Sequence, residues 1–298
     1  YLGNFWFASR QYKEAQACWE TSVKLDDSYA ITHRNLALLY FNKTNQKELA
    51  REHLEKAFSL DDTESRLLME LDQFYKKINV AVETRLELLE NHLDLTISRD
   101  DLYLERVALY NLKGEYETAK ALIAKRQFHP WEGGEGKVPF QFLTSQVEVA
   151  KKQINLNNFE DAIALLEQSK TYPHNLGEGK LHGTVENDID YWLGCTYDGL
   201  GNSEEATKYF ELASKGLSDP SPAIFYNDQQ PDKIFYQGLA LKKLGREDEA
   251  NKRFENLLKY GKSHMNDDVK LDYFAISLPD LLIWEEDLNV LNKIHCNY

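Results

Sequence analysis

Apolar and small residues recur along this chain three and four positions apart, in short runs broken by turn residues. That spacing puts them on one face of a helix and predicts paired amphipathic helices from end to end. The run from Tyr191 to Pro220 shows the unit most clearly. Leu193, Gly194 and Tyr197 share a face of a first helix, Gly201 and Asn202 turn the chain, and Ser203 with Glu204 and Glu205 starts a second helix. Ala206, Phe210 and Ala213 make the apolar stripe of that second helix, which stops at Lys215-Gly216 ahead of Pro220. Gly194 and Ala206 are expected where the two helices approach closely, with Tyr197 and Phe210 filling the space beside them.

The unit repeats. Positions equivalent to Ala206 fall at Ala15, Ala50, Arg85, Ala119, Ala162 and Ala250, at successive spacings of 35, 35, 34, 43, 44 and 44. Four residues after each anchor stands a bulky apolar residue: Trp19, Leu54, Leu89, Ile123, Leu166, Phe210 and Phe254. Five residues before each stands the predicted turn, at Arg10, Asn45, Val80, Gly114, Asn157, Gly201 and Gly245. The order L-G-x-x-Y, then A-x-x-x-F-x-x-A, then a late proline resembles the tetratricopeptide repeat (TPR), whose period is about 34 residues. The resemblance implies an all-α fold, a right-handed α-α superhelix of about seven TPR-like hairpins, each burying its face on its neighbours. Residues 1–298 then form a single repeat domain. Repeats of ordinary length fill about 1–128, repeats with extended loops about 129–262, and divergent terminal helices 263–298. Of the seven anchors, Arg85 alone is not small. Tyr1-Leu2-Gly3 already matches the middle of a repeat helix, and Asn292 to Tyr298 looks like a helix beginning. The chain is therefore expected to be a fragment of a longer protein.

The added length of the later repeats falls between the second helix of one hairpin and the first helix of the next. The inserts are Phe128 to Phe140, Tyr172 to Thr184 and Ser218 to Pro231. The first two share an aromatic residue, a His-Pro or Pro-His pair and G-E-G-K, at Gly134–Lys137 and Gly177–Lys180, with an offset of 43. Loops at equivalent places in a solenoid line one edge, so these two are expected to be neighbours, with Phe225-Tyr226-Asn227-Asp228 of the third beside them.

Composition narrows the partners. A net charge of −14 over 298 residues argues against nucleic acid, whose affinity rests on clustered Lys and Arg, and against an anionic membrane surface. No apolar run has the length of a membrane-spanning helix. Cys18, Cys195 and Cys296 lie far apart without CxxC spacing, and read as small buried hydrophobes in a reducing, cytoplasmic compartment. No cofactor is expected. A metal site is not expected either, because His129 and His174 have no companion ligands at close spacing.

GEGK is not a phosphate loop. Six residues before Lys137 and Lys180 stand Trp131 and His174 instead of Gly, and Val138 and Leu181 replace the following Ser or Thr. The glycines could still form an anion-binding nest, or simply shape tight loops while Glu and Lys cap helix ends. A carboxylate clamp for a peptide C-terminus is suggested by Asn4 and Asn35, but Glu70 stands where a basic residue is needed.

FHPWEGGEGKV, YPHNLGEGK, FYNDQQPD and DYFAISLPDLLIWEEDLNVLNKIHC, in this order, resemble the C-terminal TPR region of long bacterial proteins whose N-terminal half is a β-rich domain of unknown function. The resemblance implies a module attached to a larger protein and supplies no catalytic residues. The function expected is a non-catalytic scaffold. It would bind a peptide, a protein or the N-terminal domain of its own chain through a concave groove and a stacked loop edge. The alternative is an accessory module of a carbohydrate-active enzyme, with the GEGK loops contributing to a saccharide site. Candidate contact residues are His129, Trp131, Glu135, Lys137, His174, Glu178, Lys180, Tyr226, Asn227 and Asp228, since loops on a rigid scaffold commonly carry function.

Overall fold

The computed structural model describes residues 1–222, 228–269, 283–285 and 287–298. They are helical, with no strand among them. Three antiparallel pairs open the chain: α1 (Leu2–Ala8) with α2 (Tyr12–Leu25), α3 (Ala30–Asn42) with α4 (Lys47–Leu60), and α5 (Ser65–Lys77) with α6 (Val82–Asn91). After a short α7 (Leu93–Ser98) come α8 (Asp100–Leu112) and α9 (Tyr116–Lys125), then α10 (Lys137–Asn155) and α11 (Phe159–Ser169). The series ends with α12 (Asn187–Gly199) and α13 (Ser203–Ala213), α14 (Pro231–Lys243) and α15 (Glu247–His264), and a terminal α16 (Leu288–Asn297). Tyr1–Leu112 with Ile283, Trp284 and Glu285 make one compact unit. The described residues from Lys113 to Asp287–Tyr298, apart from those three, make another, so α8 belongs to the first unit and α9 to the second.

The hairpins close for the reason the spacing implies. Every anchor from Ala15 to Ala250 is buried, Arg85 included. A Cβ built on Gly194 would lie 2.6 Å from the Phe210 ring, and one on Gly238 would lie 2.4 Å from Phe254. A side chain there would force the two helices apart. The turns use left-handed backbone at Arg10, Asn45, Asn79, Gly114, Asn157, Gly201 and Gly245. Six of these are the expected positions. The third falls on Asn79 instead of Val80, because a β-branched residue is strained at positive φ whereas Asn tolerates it.

Other local expectations shift. The second helix of the third pair ends at Asn91. Leu93 starts the separate α7. The Thr96 hydroxyl donates to the Leu89 carbonyl at 2.9 Å and ties α7 back. The cap of α13 is Asn202, whose side chain accepts from the Glu205 N–H. The three cysteines are free and only half-buried.

In the first unit a tie recurs between pairs. Tyr40 donates to Glu20 at 2.9 Å, Tyr75 to Glu55 at 2.6 Å and Tyr110 to Glu90 at 2.6 Å. Each joins the first helix of one pair to the second helix of the pair before it.

Candidate functional site

In the first unit, the first helices of the second and third pairs hold a short piece of distant chain. Trp284 is buried, its ring 5.4 Å from that of Phe41 on α3 and 5.0 Å from that of Phe74 on α5. Its indole N–H donates to the Glu70 carbonyl at 3.0 Å. The Asn42 side chain then contacts the backbone on both sides of Trp284. Its Nδ2 donates to the Ile283 carbonyl at 2.8 Å, and its Oδ1 accepts from the Glu285 N–H at 3.0 Å. Lys43 pairs with the Glu285 carboxylate. One amide satisfies the two polar backbone groups flanking the Trp, and one cation meets the acid that follows it.

The wall beneath is fixed by ions. Glu70, fully buried, accepts two hydrogen bonds from Arg34, at 2.5 and 2.6 Å, and one from Arg66 at 2.9 Å. It is thus a structural partner of the arginines, which accounts for an acid at the place where a carboxylate clamp needs a base. Asn4 and Asn35 are likewise engaged. The Asn4 Oδ1 accepts from Trp19 Nε1 and from Asn35 Nδ2, each at 3.1 Å. They border an open cleft of about 590 Å³ that Tyr29 and Ile31 also line.

The second unit carries the extended loops. The first two inserts are neighbours, joined by backbone and side-chain hydrogen bonds. Phe128 N–H donates to the Asn175 carbonyl at 2.8 Å, and the Asn175 side chain donates to the carbonyls of Ile123 and Arg126. Gly136 N–H donates to the Glu178 carboxylate at 2.8 Å. Gly136 is the N-cap of α10, so Glu178 places an anion at a helix N-terminus, where the exposed N–H groups favour it. Lys180 donates to the Lys170 carbonyl and pairs with Glu186 at 2.6 Å. Trp131, half-buried, covers Gly134: a Cβ there would lie 2.2 Å from the ring. His129, Glu135, Lys137 and His174 are exposed, and Asp228 is half-buried. Tyr226 and Asn227, with Phe225, lie outside the described residues, as do Tyr273, Phe274 and Leu278-Pro279. Among the described residues no three His, Cys, Asp or Glu side chains group as metal ligands would. Asn175 was not among the sequence candidates. Its signal was its place between the paired His and Leu of the insert, which carries no chemistry by itself.

Beneath these loops, acids at the starts of α12 and α14 face lysines. Lys233 pairs with Asp188 at 2.5 Å and with Asp232 at 3.5 Å, and Lys170 pairs with Asp190 at 2.6 Å. Burial opposes the charge of Lys233, but Asp188 and Asp232 outweigh it and raise the ammonium pKa. Burial raises the carboxyl pKa of Asp190 and Asp232. Tyr191, Trp192 and Tyr236 cluster on the same two helices. Trp192 Nε1 donates to the Tyr236 hydroxyl at 3.3 Å, and the Lys151 ammonium lies 5.4 Å from the Trp192 ring centroid. None of the described helices is long and apolar enough to cross a membrane.

Models of the tetratricopeptide repeat match residues 35–64, 191–215 and 234–263. These stretches are tetratricopeptide repeats. Solved structures of similar fold include YrrB, described as a TPR protein with an unusual peptide-binding site. It is 17% identical over 65% of this chain and 90% of that one, with a TM-score of 0.45. Two others are structures of MamA. One is 17% identical over 71% of this chain and 86% of that one, with a TM-score of 0.35. The second, from AMB-1, is 21% identical over 63% and 91%, with a TM-score of 0.41.

Proposed function

We propose that this chain is a non-catalytic scaffold that binds polypeptide, and that the face made by the first helices of its pairs is the binding surface. One observation carries the reading: between α3 and α5 that face already holds a piece of polypeptide, gripped through its backbone by Asn42 and through its Trp by an aromatic slot. Backbone contacts from an amide accept many sequences, while a slot and a charge select among them. The joined inserts add a second surface, bearing His129, Trp131, Glu135, Lys137 and His174. On this reading the partner is a peptide, another protein or a further domain of the parent chain.

Photo-crosslinking tests it. Benzoylphenylalanine replaces Phe5 or Ile31, both exposed on first helices, and the chain is irradiated in its native cell. A discrete adduct with a polypeptide is expected from these positions and not from Leu258 of α15, exposed on a second helix. No protein adduct, together with saccharide binding lost on changing Trp131 or Glu135, would replace this reading with the accessory-module one.

A further inference from the structure

We infer that the slot between α3 and α5 is a recognition site for a peptide bearing an aliphatic residue, Trp and an acid in succession, and that Ile283-Trp284-Glu285 occupies it in competition with such a partner. The inference rests on the scaffold reading and names the ligand class of that surface.

The contacts are those of a ligand as much as of a core. The tripeptide arrives from a place 241 residues beyond Asn42, and outside it no described residue of the C-terminal stretch belongs to the first unit. Its recognition divides cleanly by chemistry. Asn42 reads the Ile283 carbonyl and the Glu285 N–H, groups that every peptide has. Phe41 and Phe74, whose rings touch each other at 5.5 Å, present an aromatic surface that reads a ring, and the Glu70 carbonyl requires that the ring carry an N–H donor, which Trp has and Phe lacks. Lys43 reads the acid at the next position. Ile283 packs on the same apolar cluster. Arg34 and Arg66 hold Glu70 whatever lies above it, so the wall does not depend on the tripeptide for its polar satisfaction. A segment of the same chain competes as an intramolecular ligand, so a partner in trans must bind tightly or be presented in many copies.

The probe is an acetylated, amidated peptide of sequence LIWEED. The full chain is labelled with 5-fluorotryptophan and followed by fluorine NMR, the Trp284 resonance being identified with Trp284→Phe. Titration of the wild-type chain with the peptide is expected to move the Trp284 signal from its buried to an exposed position, with saturation. A peptide with Ala for Trp is expected to leave it in place. In a second measurement, the Trp284→Ala chain binds fluorescent LIWEED at least tenfold more tightly than wild type, and adding Asn42→Ala removes that binding. An unmoved Trp284 signal at millimolar peptide overturns the inference, even if Trp284→Ala fails to fold. A Trp284-dependent dimer that the peptide does not dissociate overturns it in favour of exchange between copies. Failure here with polypeptide adducts at Phe5 or Ile31 leaves the scaffold reading standing.

Discussion

Arg85 donates two hydrogen bonds to Asp72, at 3.0 and 2.8 Å, and a third to Glu105 at 2.7 Å, all in the interior of the first unit. This is how the repeat lattice absorbs its one large anchor. Where the other six anchors are Ala, the third is a guanidinium, with an acid supplied on each neighbouring helix, α5 and α8. Lys76 also pairs with Glu105 at 2.9 Å, so the group left buried without its cation on removing Arg85 is Asp72. Arg85→Ala is therefore expected to destabilise the first unit by about 3–5 kcal/mol, and Arg85→Ala with Asp72→Ala by clearly less than the sum of the two single changes. Urea denaturation of the four chains of that cycle measures the coupling, and additive losses would show that the pair does not act as one.

The same lattice fixes a cost at each turn. Arg10 at φ 59° and Asn157 at φ 61° occupy backbone that glycine holds in three other repeats. Arg10→Gly is expected to gain up to about 1 kcal/mol, and Gly201→Ala, at φ 76°, to lose about 1–2 kcal/mol. Thermal denaturation reads both, and equal midpoints for all three chains would contradict the account.

The turns and anchors were legible because their information is local. A positive φ selects Gly or Asn at the position itself, and a helix crossing selects a small residue in register with a large one four positions on. Arg85 looked like a defect because its compensation, Asp72 and Glu105, is visible only once three helices are packed. Trp284 could not be placed from the sequence at all. Its partner Glu70 lies 214 residues away, Asn42 lies 241 residues from the neighbouring Ile283, and nothing in a stretch ending in Leu281-Leu282-Ile283-Trp284 distinguishes a helix stripe from a docked segment. The pairing of the two GEGK inserts was legible from their offset. The role of Glu178 as a helix cap was one of two readings open for it.

Alkaline pH tests the tyrosine ties. Burial, and then the hydrogen bond each makes to its glutamate, pushes the Tyr40 and Tyr75 hydroxyls up to about 12. Above the ordinary value of 10.0 the unfolded chain loses protons that the folded chain keeps, so stability falls as pH rises from about 10 to about 12. Tyr75→Phe is expected to flatten part of that loss while costing about 1.5–3 kcal/mol at neutral pH, the range for a hydrogen bond to a charged group. A difference-absorbance titration at 295 nm, where phenolate absorbs, follows the ionisation directly, and a full titration of all tyrosines near pH 10 would refute it.

Mild acid tests a histidine pair. The His33 Nε2 lies 3.0 Å from the Asp27 carbonyl, which can only accept, so His33 carries its proton there and its Nδ1 accepts from the His53 Nδ1–H at 2.8 Å. Burial, and then His33, lowers the His53 pKa below the ordinary 6.5. As pH falls through 6.5 the unfolded chain gains a proton that folded His53 refuses, so stability is lost from there downward until His53 itself protonates. His53→Gln is expected to be the less pH-sensitive chain between about pH 7 and 5. Denaturation midpoints across that range decide, and parallel curves for the two chains would remove His53 from the account.

The loop edge depends on Gly177, which a larger residue cannot replace. Its φ is +75°, and a Cβ would lie 2.6 Å from the Phe128 carbonyl oxygen and 3.0 Å from its carbon. Backbone cannot yield there as a flexible side chain would, so Gly177→Ala must push one insert off the other. That displacement breaks the Phe128 to Asn175 and Gly136 to Glu178 hydrogen bonds together. Gly179, two residues on, has nothing within 4 Å of its Cβ position. Gly179→Ala therefore keeps the same composition change without the displacement. Hydrogen exchange at the Phe128 and Gly136 amides is expected to accelerate at least tenfold in Gly177→Ala and to stay unchanged in Gly179→Ala. Glu178→Ala should accelerate Gly136 alone, since it removes the cap but leaves the backbone contact at Phe128. If the loop edge is a binding surface, a partner that reads both inserts will be lost with Gly177→Ala and kept with Gly179→Ala. A partner that contacts Trp131 alone will tolerate both. Equal protection of both amides in the Gly177→Ala chain would mean that the inserts are not held by this contact.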